Sequence, residues 1–172
     1  GHSVGEVAAG YVAGILSEAD AIKLVEVRAN AMAKAAKSSD TGMAAVLGGE
    51  VEVVLETLNH HNLTPANYNG AGQIVAAGSA EAIKALVSNP PAGAKVIALS
   101  VAGAFHTSYM ESAVSELTEF ANVISVSNPN KTIWSNHQAE VISSGEEYIH
   151  KLVGQVANSV RWDLCMGAMT KA

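Results

Sequence analysis

Arginine and cysteine are scarce in this chain: across 172 residues arginine occurs only at Arg28 and Arg161, and cysteine only at Cys165. A single cysteine excludes an internal disulfide. Its setting in the amphipathic run Trp162, Leu164, Cys165, Met166 points to a buried, reduced thiol of the kind expected in a cytoplasmic protein. No stretch approaches the roughly 20 uninterrupted apolar residues of a membrane helix, and no basic-then-apolar signal segment is visible in the residues present. Basic side chains are scattered and are outnumbered 10 to 16 by acidic ones, for a net charge of −6. That balance argues against bulk binding of nucleic acid and favours a small molecule or a protein as partner. The shortage of arginine leaves few groups able to grip a carboxylate in a planar, two-pronged fashion, which singles out Arg28.

Hydrophobic residues make up 49% of the chain, enough for one domain with a sizeable core in one or two lobes. The chain opens on Gly1-His2-Ser3-Val4-Gly5-Glu6, a G-x-S-x-G pattern running directly into a helix-forming segment. That pattern puts a serine hydroxyl on a sharp strand-to-helix turn, with small residues on either side relieving the crowding of backbone against backbone. A chain that starts on the first glycine of such a turn is expected to be a piece of a longer protein, because the strand that feeds the turn is missing.

A short helix is expected over Glu6–Ala13, closed by Gly14, and a second from an N-cap at Ser17 to about Lys37. In the second helix Ile22, Val25, Ala29, Met32 and Ala36 recur at helical spacing as an apolar stripe with Arg28 on its flank. From Gly42 the pattern shortens. Strands at Met43–Leu47, Ala66–Tyr68, Gln73–Ala77 and Lys95–Ser100 alternate with helices at Val51–Asn59 and Ala80–Val87, the β-α-β-β-α-β order of a ferredoxin-like unit. Helices then follow at Tyr109–Ala121, Gly145–Val156 and Arg161–Met169, with a short strand at Thr132–Ser135. The expected class is α/β: a larger, α/β-hydrolase-like lobe, residues 1–40 and 103–172, incomplete at its N-terminal strands and interrupted by a ferredoxin-like small lobe at 41–102.

A serine hydroxyl becomes a nucleophile only when a base takes its proton, so a histidine has to reach Ser3. His60, His61 and His150 sit in polar surroundings, His137 in a polar turn, and His2 is expected to pack beneath the turn. His106 stands apart. It follows the last strand of the small unit in Gly103-Ala104-Phe105-His106, on the kind of strand-end loop where α/β active sites assemble.

The hexapeptide, Glu26-Val27-Arg28 after it, Asn67-Tyr68-Asn69-Gly70-Ala71-Gly72-Gln73, Gly103-Ala104-Phe105-His106, Gln155 and Val160-Arg161-Trp162 together resemble the malonyl-CoA:acyl carrier protein transacylase family, in order and over essentially the whole chain. The resemblance implies that Ser3 attacks the malonyl thioester and that His106 is the base, oriented by the main-chain carbonyl of Gln155. It implies that Arg28 holds the free malonyl carboxylate, that Met32 and Phe105 line the acyl pocket, and that the Val4 N–H is one oxyanion donor. The family's second oxyanion donor comes from a glutamine-bearing loop upstream of the elbow, which lies outside these residues. The implied partners are malonyl-CoA and acyl carrier protein, in fatty acid biosynthesis, with no metal and no cofactor beyond malonyl-CoA as substrate. Two alternatives share the elbow: the malonyl-specific acyltransferase domain of a polyketide synthase, and a serine hydrolase.

Overall fold

Short apolar runs in the middle of the chain and longer amphipathic ones at both ends resolve into two different cores in the computed structural model, which describes residues 1–172. The N-terminal part is helical. Helix α1 spans Gly5–Val12 and α2 spans Glu18–Ala36. Ser17 caps α2, its hydroxyl accepting from the Asp20 N–H, as its place ahead of two acidic first-turn residues predicts.

The middle of the chain forms β1 (Thr41–Gly48), α3 (Val51–His60), β2 (Thr64–Gly70), β3 (Gln73–Ser79), α4 (Ala80–Ser88) and β4 (Ala94–Leu99). A 3-10 turn at Ser108–Met110 leads into α5 (Glu111–Ala121). After a long connection come α6 (Gly145–Gly154), a 3-10 turn at Gln155–Ala157, the two-residue strand β5 (Val160–Arg161) and α7 (Trp162–Met169). The class is α/β, with a mixed sheet ordered β4-β1-β3-β2-β5. All its pairings are antiparallel except β2 with β5, where Asn67 and Tyr68 face Val160 and Arg161 in parallel register.

One face of the sheet is covered by α3 and α4, with Ala44, Val46, Ile74 and Ala76 packed on Leu58, Ile83 and Leu86. The other face carries Met43, Ala66, Val75 and Ala77 toward Ala104 and Phe105. The helical core gathers Val7, Leu24, Met110, Leu117, Tyr148 and Leu152 around α2 and α5. Gly10 permits a close approach there: a Cβ at that position would lie 2.6 Å from the Tyr148 ring. Tyr148 is therefore able to reach across α1 and donate its hydroxyl hydrogen to the Glu6 carbonyl.

Four expectations shift. The apolar stripe of α2 is turned, so that Ala21, Leu24, Arg28, Ala31, Met32 and Ala35 face inward while Ile22 and Val25 are exposed. Alanines on the inner face let α5 pack closely, and the rotation carries Arg28 from the flank into the interior. The expected strand at Thr132–Ser135 is only an isolated bridge between Trp134 and Val141. The expected helix Gly145–Val156 tightens to a 3-10 turn at Gln155, and Arg161, expected to open the last helix, instead pairs with β2 together with Val160.

Candidate active site

Ser3 sits at φ 52°, in the left-handed region that non-glycine residues seldom occupy, immediately ahead of α1. The turn is crowded on one side only. A Cβ on Gly1 would fall 2.0 Å from the Gly5 carbonyl oxygen, whereas one on Gly5 would meet open space. The turn is held by Asn136, whose Oδ1 accepts from the Ser3 N–H at 2.8 Å and whose Nδ2 donates to the Gly1 carbonyl at 2.9 Å.

His106, also at positive φ (62°), lies 103 residues away in sequence and within hydrogen-bond reach of the serine, Ser3 Oγ to His106 Nε2 being 2.7 Å. Its Nδ1 is 2.8 Å from the Gln155 main-chain carbonyl. A carbonyl only accepts, so Nδ1 carries the hydrogen, and Nε2 is left as the acceptor facing the serine hydroxyl. The His106 N–H donates to the Val156 carbonyl at 3.0 Å, fixing the loop on the same 3-10 turn. Burial, reinforced by the nearby Arg28 charge, pushes the imidazole down to about 4 despite the opposing bond to Gln155. At neutral pH it is therefore an uncharged base.

Arg28 enters from α2 and is almost fully buried. Its Nη2 donates to Ser3 Oγ and to Gln155 Oε1, each at 3.1 Å. No carboxylate lies within ion-pair distance of it, and its Nε is the one buried side-chain nitrogen or oxygen without a hydrogen-bond partner. Burial pulls the guanidinium below its usual range, with Glu6 acting against that.

Ser3, Arg28, Met32, Phe105 and His106 share one open cleft of about 520 Å³, lined on its sheet side by Asn67 and Val75. Gln155 stands behind the cleft. Val4 is the N-cap of α1, so its N–H belongs to the free donors of a helix N-terminus beside Ser3 Oγ. His2 does not pack beneath the turn. It lines the cleft, 2.9 Å from Asn69 Oδ1 and edge-on to Trp162 at 5.5 Å between ring centres. Cys165 is buried, as expected, with its thiol donating to the Ser135 carbonyl at 3.3 Å.

Two residues of this constellation were not among those the sequence singles out. Asn136 staples the turn, and Glu6, 2% exposed, accepts from the Asn136 N–H at 2.9 Å and from the Gln155 side-chain amide. Burial raises the Glu6 carboxyl to about 7, with the donors from Asn136 and Gln155 pulling the other way. One signal was available for Glu6: it is the only charged residue in α1, three positions after Ser3. Asn136 has no comparable signal, because it lies in an irregular segment.

The model of the acyl transferase domain family matches residues 1–159. The malonyl CoA-acyl carrier protein transacylase of Mycolicibacterium smegmatis is 47% identical over 169 residues, which are 98% of this chain and 58% of that protein. The crystal structure of MCAT from Mycobacterium tuberculosis superposes with a TM-score of 0.98 at 44% identity, covering 100% of this chain and 57% of the other. A type II polyketide synthase acyl-carrier protein in complex with its malonyl-transacylase is also similar, with a TM-score of 0.90 at 28% identity over 99% of this chain and 57% of that one. The chain thus spans a little over half the length of the relatives it matches.

Proposed function

Because the chain belongs to the acyl transferase domain family, we propose that the protein carrying it moves a malonyl group from malonyl-CoA, through an ester on Ser3, to the phosphopantetheine thiol of an acyl carrier protein in fatty acid biosynthesis. The observation that carries the reading is the state of Arg28. A buried guanidinium with no acidic partner, one of its nitrogens 3.1 Å from the nucleophilic oxygen, calls for an acyl group that brings its own carboxylate.

The chemistry follows from the hydrogen bonds. His106 Nε2 takes the Ser3 hydroxyl proton as Oγ attacks the thioester carbonyl, and the Val4 N–H is one donor to the oxyanion that forms. Collapse breaks the C–S bond, and the coenzyme A thiolate leaves with the proton from Nε2. The carrier thiol then gives its proton to Nε2 and attacks the ester, and Ser3 Oγ departs and is reprotonated. Gln155 takes the place of a triad acid by accepting from Nδ1–H with a neutral carbonyl. The fork of Arg28 holds the malonyl carboxylate, while Met32 and Phe105 bound the acyl pocket on its apolar side. No metal or cofactor enters these steps.

The same reading takes residues 41–102 as a ferredoxin-like unit set into a larger α/β lobe made of 1–40 and 103–172. The order β1-α3-β2-β3-α4-β4 and the sheet order β4-β1-β3-β2 support it. No helix is long and apolar enough to cross a membrane, and a buried, unpaired Cys165 fits a cytoplasmic setting.

Trapping with radiolabelled malonyl-CoA tests the proposal. The whole protein is expected to carry one label on Ser3 that is discharged by a carrier thiol faster than by water, and Ser3→Ala is expected to reduce labelling at least about a thousandfold. Release of malonate to water with no transfer would mark a hydrolase instead.

A further inference from the structure

Glu6 is an acidic side chain in the interior that the reaction steps do not use. Its carboxylate spans two elements: Oε1 accepts from the main-chain N–H of Asn136 at 2.9 Å, and Oε2 accepts from Nε2 of Gln155. The Gln155 amide is consequently caught between opposites. On one side stand groups that accept from its NH₂: the Glu6 carboxyl, the Ser3 carbonyl at 3.2 Å and Asn136 Oδ1 at 3.4 Å. On the other stands the Arg28 guanidinium, which can only donate. One amide orientation satisfies all of them, with Nε2 toward Glu6 and Oε1 toward Arg28.

Resting on the malonyl-transfer reading above, we infer that Glu6 is a positioning residue for substrate selection, acting through the side-chain amide of Gln155 to hold the Arg28 guanidinium where a substrate carboxylate docks. The chain of contacts is continuous: Glu6 Oε2 to Gln155 Nε2, Gln155 Oε1 to Arg28 Nη2 at 3.1 Å, and Arg28 Nη2 to Ser3 Oγ at 3.1 Å. It leaves the tilt of His106 to a different atom of Gln155, the main-chain carbonyl. Selection of the acyl group and orientation of the base thus run through separate groups of one residue.

The logic makes Glu6→Gln a direct test, since it keeps size and shape while it changes the pattern of donors and acceptors and removes the carboxyl's charge, which acts on Arg28 from a distance. The fixed Asn136 N–H claims the carbonyl oxygen of the introduced amide, whose NH₂ then turns toward the side chain of Gln155. Gln155 has to flip in response, presenting its own NH₂ to the guanidinium and depriving Arg28 of its side-chain acceptor. Ser3 loading of the whole protein would be followed with malonyl-CoA and with acetyl-CoA, the second lacking the carboxylate.

Loss of one charge-assisted hydrogen bond corresponds to about a tenfold fall in the malonyl-to-acetyl ratio of kcat/KM, expressed mainly as a raised KM for malonyl-CoA. Gln155→Met, which keeps the main-chain carbonyl and removes the amide, is expected to lower the ratio by a similar factor. The double variant is expected to fall no further than Gln155→Met alone, because both changes cut one chain. A folded Glu6→Gln protein that keeps the wild-type ratio within twofold overturns the inference, and so do falls that multiply in the double variant. Should Glu6→Gln fail to fold, Gln155→Met decides: an unchanged ratio there overturns the inference as well. Wild-type protein that loads neither group onto Ser3 overturns the proposed function itself, and the inference with it.

Discussion

The sheet and the helical part of this molecule bury very different things. The face of the sheet under α3 and α4 is closed with Ala44, Val46, Leu58, Ile74, Ala76 and Leu86, all apolar and nearly all fully enclosed. Of the eight buried polar or charged side chains, only Asn67 belongs to the sheet, and it points into the cleft. Glu6, Arg28, His106, Asn136 and Gln155 are concentrated where α1, α2, the loop after β4 and the 3-10 turn after α6 converge. Burying such groups is costly unless each finds a partner. Their concentration at one place separates the part of the protein that holds the candidate site from the part packed with apolar side chains alone.

That contrast can be broken experimentally, starting where the effect on chemistry is largest. Arg28→Ala is expected to lower the malonyl-to-acetyl ratio of Ser3 loading about a hundredfold, since the carboxylate proposed to dock there would lose the one arginine or lysine that lines the cleft. Steady-state loading with the two thioesters measures it, and a preserved ratio would mean that the buried charge serves the fold and not the ligand.

A smaller effect is expected from pH. His106 must be neutral to accept the serine proton, and its pKa lies near 4 instead of the ordinary 6.5. Reaction of Ser3 with an uncharged fluorophosphonate should therefore stay level from pH 8 to about 5 and fall only as acid protonates the imidazole near pH 4. A midpoint near 6.5 would place His106 in a wetter site than the one described. The same depression means that the unfolded chain binds the His106 proton more readily than the folded one between about 4 and 6.5. This contribution to stability is present above that window and is lost as pH falls through it. Glu6 works in the opposite sense. Its carboxyl is raised to about 7, so its neutral form favours the fold at low pH and that contribution fades as pH rises from 4.5 to 7.

The smallest chemical effect is expected in the sheet. Leu58→Ala, at a fully enclosed position, should lower stability by about 2–5 kcal/mol. It should leave Ser3 loading within about twofold at a temperature where the variant is folded. Thermal melts and loading assays on one preparation would show it. A large loss of loading in a folded variant would tie the sheet to the site more tightly than the packing implies.

The elements were legible where local chemistry dictates them. Ser17 announced α2, and the alternating short units announced the sheet and its helices. The contact between Ser3 and His106 was legible because a G-x-S-x-G turn and a histidine on a strand-end loop each carry a local signature. The order of burial on α2 was not, because helical periodicity alone ranked Ile22 and Val25 as buried, and the alanines facing α5 reversed that order. β5 escaped notice because two residues pairing with a distant strand leave no periodic trace. Asn136 was equally silent: its role comes from meeting Gly1 and Ser3 across more than 130 residues of chain, a property of the fold and not of its neighbours in sequence.

The group that orients His106 is a main-chain carbonyl. In a triad that uses an aspartate, one nucleotide change can delete the orienting acceptor. At position 155 every amino acid encoded would still present a C=O to Nδ1, provided the 3-10 turn keeps its shape. The mutational target for losing the base's orientation is therefore the conformation of a three-residue turn and not the identity of one side chain, whereas the amide facing Arg28 can be exchanged by point mutation. Under the roles proposed above, drift at this position would alter which acyl group is accepted well before it abolished acylation of Ser3.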